Sequence, residues 1–188
     1  KNIDLSCITI YFETLFISEK FSTKLQQYLA SKNAIFYVLN DPIGHLAKSG
    51  NWYTSLKSDL EDLKKILVSA KNMKGVISVD LGLFQNAGSS MIQQLAYALA
   101  HANEYLNLYD SKLIKSIVFK VSIGSNYFFE IAKLQALRIL WQSLTKEYGI
   151  SIDCHIISQP SKRNKTIYDY NTNMLRTTTE CMSAMLGS

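Results

Sequence analysis

The side chains best placed for chemistry are Glu13, Asn40, Asp41, His45, Asp80, Gln85, Asn126, Ser158 and Gln159. Each ends or follows an apolar, strand-like run. In βα proteins, ligands meet the carboxyl ends of the strands, so these residues would face one another there. His45 is the best-placed general base, because imidazole titrates near neutral pH. A solvated loop histidine is the bland alternative. His101 falls on a helix and is expected to pack or face water. Cys154 and His155 are adjacent in a strand, so they point to opposite faces and make a poor metal pair. Gly82 and Gly88 flank a turn between a strand and a helix, where anions are attracted to helix N-termini. Their spacing fits neither G-x-G-x-x-G nor a Walker pattern, and no Lys follows, so a plain βα turn is expected. A ring of polar groups is also what any such strand end shows to water.

Five strand-like runs hold these residues: Ile8–Glu13, Ala34–Leu39, Gly75–Leu81, Ile117–Ile123 and Ser151–Ser158. They are rich in Ile, Val, Phe and Tyr. Several are apolar throughout, as expected for parallel strands covered on both faces. Helical periodicity marks Glu19–Ala30, Thr54–Ala70, Ser89–Leu106, Tyr127–Tyr148 and Tyr168–Leu186. In the second helix Leu60, Leu63, Leu67 and Ala70 form the buried stripe, with Asp59, Glu61, Asp62, Lys64 and Lys65 on the wet side. In the third, Ile92, Leu95, Leu99 and Ala102 face inward. In the fourth, Ile131, Leu134, Leu137, Trp141, Leu144 and Tyr148 share a face, and Ser125 or Asn126 caps its start. Pro42 and Gly44 mark a loop, as does Gln159-Pro160-Ser161. Regular alternation predicts an α/β fold with a parallel sheet. Periodicity alone leaves an open doubly wound sheet and part of a (β/α)8 barrel both standing.

A chain of 188 residues, 47% apolar and 19% charged, suits one globular domain. Its net charge of +5 is spread out, and the only dense basic cluster is Lys162, Arg163 and Lys165. A scattered excess reads as solvated surface rather than a nucleic-acid footprint. Cys7, Cys154 and Cys181 give neither a disulfide framework nor a metal-ligand spacing, so a reducing, cytoplasmic compartment is expected. No apolar run approaches the roughly 18 residues of a membrane helix. No cleavable signal stands at Lys1, and the start without Met reads as a piece of a longer protein.

Two phrases carry a resemblance. Residues 126–141 read N-Y-F-F-E-I-A-K-L-Q-A-L-R-I-L-W, and residues 169–180 read D-Y-N-T-N-M-L-R-T-T-T-E. The first closely resembles N-F-F-M-E-I-A-K-L-R-A-L-R-L-L-W of the methylmalonyl-CoA mutase family. The second resembles the family's D-x-Y-x-N-x-x-R-T-T-x-E, departing at Asn171. The resemblance favours the barrel: residues 1–188 would be a partial TIM-type barrel of five consecutive βα units, about the third to seventh of eight. A cobalamin-binding domain would be absent from the chain. The segment Asp153 to Ser158 is similar to the D-x-H-x-x-G of such domains only by coincidence, since Ser158 replaces the glycine.

The same resemblance implies which chemistry is missing. The family's catalytic Tyr-His pair, in G-Y-H-M-Q-E-A-G, falls on Gly82 and Leu83, while Gln85, Ala87 and Gly88 match the tail. Leucine can neither donate a hydrogen bond nor move a proton. The substrate-facing Thr and Gln of T-I-Q-N-D fall on Tyr37 and Leu39, with only Asn40-Asp41 kept. A coenzyme A arginine falls at Ser116. The substrate-carboxylate arginine falls near Ser49-Gly50, with only Lys48 charged nearby. Gln135 replaces another arginine, whereas Arg138 and Arg176 are kept. The chain therefore resembles the catalytically silent small (beta) subunit of a heterodimeric mutase. That implies a large catalytic subunit as partner, adenosylcobalamin held by that partner, and no cofactor or metal on this chain. The alternatives are a divergent acyl-CoA mutase barrel using residues such as His45 and Asp80, or a stand-alone binding module. A five-unit piece would also leave two sheet edges exposed, favouring self-association.

Overall fold

The computed structural model describes residues 4–188, so the reading of the chain's start at Lys1 lies outside it. The elements in chain order are β1 (Thr9–Glu13), α1 (Glu19–Ala30), β2 (Ile35–Asn40), α2 (Pro42–Ser49), α3 (Leu56–Ser69) and β3 (Gly75–Asp80). Then follow α4 (Leu81–Asn86), α5 (Met91–Leu108), β4 (Ile117–Ile123), α6 (Tyr127–Glu147), β5 (Cys154–Pro160) and α7 (Tyr170–Gly187). The strands form one sheet in the order β1-β2-β3-β4-β5. β1 pairs in parallel with β2, Thr9 opposite Ile35, and β2 with β3. A doubly wound sheet reverses its strand order at a switch point. This order never reverses, so the fold is that of consecutive βα-barrel units.

Capping residues explain the helix boundaries. Ser18 accepts from the Phe21 N–H and starts α1 at the expected residue. Ser55 accepts from the Ser58 N–H, which trims the expected start of α3 from Thr54 to Leu56. The expected loop at Pro42 and Gly44 is instead α2. Asp41 caps it by accepting from the Gly44 N–H, Pro42 fills the first turn, and Gly50 ends it at φ 77°. The expected turn after Gly82 is also helical: Asp80 accepts from the Gly82 N–H and opens α4. At α6, Asn126 occupies the cap position without a side-chain cap bond.

The chain divides into two compact units, Lys1–Ser78 with Glu104–Val118, and Val79–Asn103 with Phe119–Ser188. In the first, Phe36, Val38, Leu63, Ile66, Ile77 and Tyr105 form the core. Asp59, expected on the wet side, is buried there, because its carboxylate accepts from the Tyr53 and Thr54 N–H groups. In the second, Phe119, Val121, Leu134, Leu137 and Trp141 pack together, with Trp141 edge-on to Phe119 at 5.1 Å. Ile92, expected to face inward, is 80% exposed, and the buried residues of that first turn and the next are Gln94 and Ala98. Among the described residues no helix is long and apolar enough to cross a membrane.

Candidate functional site

In the second unit, polar groups gather at the ends of β3, β4 and β5. Asp80, last in β3, holds the Gly82 N–H at 2.8 Å and stands 3.7 Å from the Lys120 ammonium. Lys120 is the one charged residue in the buried strand β4. A Cβ on Gly82 would meet the Ser122 hydroxyl at 2.6 Å and Asp80 Oδ1 at 2.9 Å, with the Gln159 amide at 3.7 Å. Space beside residue 82 is therefore already occupied by side chains from β3 and β4.

Gln85 lies one turn further on and is buried. Its amide donates to the Ser122 carbonyl at 3.3 Å and accepts from the Ser161 hydroxyl at 2.7 Å. Its own carbonyl accepts from Arg163 Nη1 at 3.2 Å, and the Ser161 N–H donates to the Ile123 carbonyl. Gln85 thus fastens the loop after β5 to the end of β4. The expected loop at Gln159-Pro160-Ser161 begins inside β5, whose last residue is Pro160.

Both phrases that carry the resemblance serve the same junctions. In E-I-A-K, the side chains of Glu130 and Lys133 are each 1% exposed and 2.5 Å apart. Glu130 accepts from the Gly124 N–H at 3.0 Å, closing the turn that enters α6. Lys133 donates to the Ser122 carbonyl at 2.8 Å and to Gln94 at 3.3 Å, joining α6 to β4 and α5. Burial lowers the Lys133 pKa, and Glu130 opposes that shift. In the second phrase, Glu180 takes bonds from Asn164 and Lys165, and Arg176 donates to the Asn164 carbonyl. Arg138 donates to the Cys154 carbonyl. The kept arginines therefore clamp backbone. The basic cluster is also partly spent: Lys165 pairs with Glu180 and Arg163 bonds the Gln85 carbonyl, while Lys162 is exposed.

The first unit holds another group of candidates. Asp41 accepts from the Tyr105 hydroxyl at 2.7 Å, and that hydroxyl accepts from the Ile43 N–H. His45 belongs to helix α2, not to a loop, and its ring stacks on Tyr53 at 3.9 Å. Burial raises the Tyr53 pKa, aided by the charges of Asp41, Asp59 and Glu13. Asn40 is buried and donates to the Val76 carbonyl. Tyr37 stacks on Tyr11 at 5.1 Å, and Leu39 is core. Ser116 precedes β4, so it sits at the amino end of that strand, beside Gly75 and buried. The structure thus places Tyr37 and Ser116 at the strands' amino halves and Asn40 and Asp41 at the carboxyl end of β2.

The remaining candidates stay apart. His101 is buried with its ring edge-on to Phe84. Burial lowers the His155 pKa and pushes the Cys154 thiol up to about 12. Among the described residues no group of three or more His, Cys, Asp or Glu could hold a metal ion. Sequence reasoning missed Lys120 and Ser122, and it named Ser161 only as loop and Arg163 only as part of the basic cluster, without joining either to Gln85. A lone lysine inside the apolar run Ile117–Ile123 was the available signal for the first.

Sequential parallel strands, each followed by a helix, with polar groups converging at their carboxyl ends, define a βα-barrel chain. Its family follows from comparison with known proteins. The family model described as Methylmalonyl-CoA mutase matches residues 16–188, and the chain belongs to the methylmalonyl-CoA mutase family. It is similar to the methylmalonyl-CoA mutase small subunit of Porphyromonas gingivalis, 38% identical over 123 residues, covering 60% of this chain and 20% of that protein. It is similar to the small subunit from Streptomyces virginiae, 30% identical over 157 residues, covering 78% of this chain and 25% of that protein. The large subunit from Streptomyces virginiae is 35% identical over 123 residues, covering 59% and 16%. The chain spans a quarter or less of the length of these relatives.

Proposed function

We propose that this chain is part of a small subunit of a two-subunit methylmalonyl-CoA mutase and contributes structure rather than catalytic groups. The observation that carries this reading is the filled niche at Gly82. The resemblance assigns a tyrosine to that position, and Ser122 and Asp80 already stand where its Cβ would lie. Leu83 beside it offers no proton or donor. Gln85, which the resemblance keeps, spends its amide and its carbonyl on β4 and the loop after β5. On this reading the acyl-CoA and adenosylcobalamin are held by the large subunit, where the cofactor supplies the radical chemistry. The pairing of small- and large-subunit relatives within Streptomyces virginiae supports a heterodimer.

The test is co-expression of the full-length protein with a homologous large subunit. A stoichiometric complex is expected, with turnover unchanged by Leu83→Ala and by His45→Ala. Absence of a complex at micromolar concentrations would sink the subunit reading. The second reading, a barrel with catalytic residues of its own, is favoured by the Lys120–Asp80 pair, which joins the middle of β4 to the last residue of β3. Asp80→Asn keeps an oxygen for the Gly82 N–H and removes the charge. A large loss of turnover in that variant, with the complex intact, would select the second reading.

A further inference from the structure

Helix α6 and the segment that leads into β5 border a cavity of about 330 Å3 in the second unit. Two bonds hold its walls together. Trp141 Nε1 donates to the Ile152 carbonyl at 3.0 Å, and Arg138 Nη1 donates to the Cys154 carbonyl at 3.2 Å. The second bond uses one of the five N–H groups of a guanidinium. The Arg138 Nε–H is shut off from solvent and meets no acceptor among the described residues. Arg138 forms no ion pair among them either, although its charge is felt at Cys154 and His155. A half-buried cation with bonds unmade favours an anion beside it. Lys146 and Asp153 line the same cavity and are exposed. Two positive charges against one negative leave a place for a single negative charge. The negative end of α6 would oppose an anion. Its carbonyls are already engaged, because that of Thr145 accepts from the Tyr148 and Ile150 N–H groups and that of Lys146 from the Gly149 N–H.

We propose that this cavity binds a small monocarboxylate, with its carboxylate on Arg138 and Lys146 and its apolar tail against Ile150 and Ile152. A guanidinium offers parallel donors that match the two oxygens of a carboxylate. The charge of the wall balances one negative charge, whereas a doubly charged phosphate would exceed it and face Asp153. The volume lies at the lower end of small-ligand pockets, roughly 300–1,000 Å3. None of the positions that the family resemblance ties to substrate or coenzyme A lines this cavity. Trp141, on its wall, packs on Phe119. Lys120, next in the strand, points to the opposite face, toward Asp80. The cavity therefore lies on the helix-covered side of β4, away from Gly82 and Ser122.

Isothermal titration of the full-length protein with butyrate tests the site. Saturable binding in the millimolar range is expected, and none with butyramide, which has the same shape without the charge. Arg138→Lys keeps the charge and a donor for the Cys154 carbonyl but loses the planar fork, and should weaken binding about tenfold. Lys146→Gln alters an exposed residue and should leave the circular dichroism spectrum unchanged. It should weaken binding about threefold, the scale of a partly screened charge pair. Lys162→Ala, beyond the far end of β5 and about 20 Å away along the strand, should change nothing. No saturation below about 10 mM butyrate overturns the proposal. So does equal binding of butyramide, unchanged binding in Lys146→Gln, or equal loss in Lys162→Ala. Tighter binding of inorganic phosphate than of butyrate overturns the carboxylate class.

Discussion

Replacing Lys133 by Met tests whether the E-I-A-K phrase is structural. Lys133 and Glu130 are each 1% exposed, so both charges are out of water. Lys133→Met removes the ammonium 2.5 Å from Glu130 and two further bonds, to the Ser122 carbonyl and Gln94. Glu130 is then a buried carboxylate left with the Gly124 N–H. Breaking a buried pair from one side costs about 3–5 kcal/mol. The double variant Glu130→Gln with Lys133→Met behaves differently. It removes both charges, and the new amide still offers an oxygen to the Gly124 N–H. Burial already lowers the Lys133 pKa despite Glu130 beside it, so desolvation outweighs attraction at this lysine. The double variant should therefore cost less than the single one, below about 2 kcal/mol. Urea unfolding followed by circular dichroism gives both values, provided the slope m is unchanged. A single-variant cost under about 1 kcal/mol, or a double cost equal to the sum of the singles, would refute the reasoning.

Other outcomes follow from the geometry. Gly82→Ala should cost about 1–3 kcal/mol by overpacking against Ser122, and adding Ser122→Ala should recover much of it in denaturant titrations. Tyr105→Phe removes a buried hydroxyl bonded to Asp41 and the Ile43 N–H, and should cost about 1–3 kcal/mol by the same assay. At pH 8 a thiol reagent should label exposed Cys7 and Cys181 quickly and Cys154 only on unfolding, which mass mapping checks. The Cys154 thiol rises from 9.0 to about 12 on folding, so the native state holds its proton more tightly. Its contribution to stability is complete below pH 9 and is lost as pH climbs toward 12.

The sheet was legible because its strands are nearly unbroken apolar runs; Ile117–Ile123 is correct to the residue. Helix α1 was equally clear, since Ser18 is a capping residue and Glu19 suits the first turn. Short helices were lost for a specific reason. Pro42 and Gly44 read as breakers, yet Asp-Pro is also how a helix begins, and the cap decides between the two. Asp59 looks wet because its type is polar, and only the chain reversal at Tyr53 and Thr54 brings it donors. Ile92 looks buried because spacing alone does not say which face of α5 is covered. At the candidate site, the family phrases point to the right segments. Their charged residues hold junctions, which no spacing rule reveals, because Glu130, Lys133 and Glu180 find partners across turns and on other elements.

The crowded Gly82 also constrains history. If a tyrosine once stood there, as the family resemblance implies, its replacement opened room into which Ser122 and Asp80 now project. A reverse change at residue 82 alone would be selected against on stability, because it meets Ser122 and Asp80. A larger side chain at residue 82 would have to follow a change at residue 122 or residue 80 that makes room for it. The order of substitutions thus acts as a ratchet: packing among residues 80, 82 and 122, rather than the number of changes separating this barrel from a relative, sets which sequences it can reach.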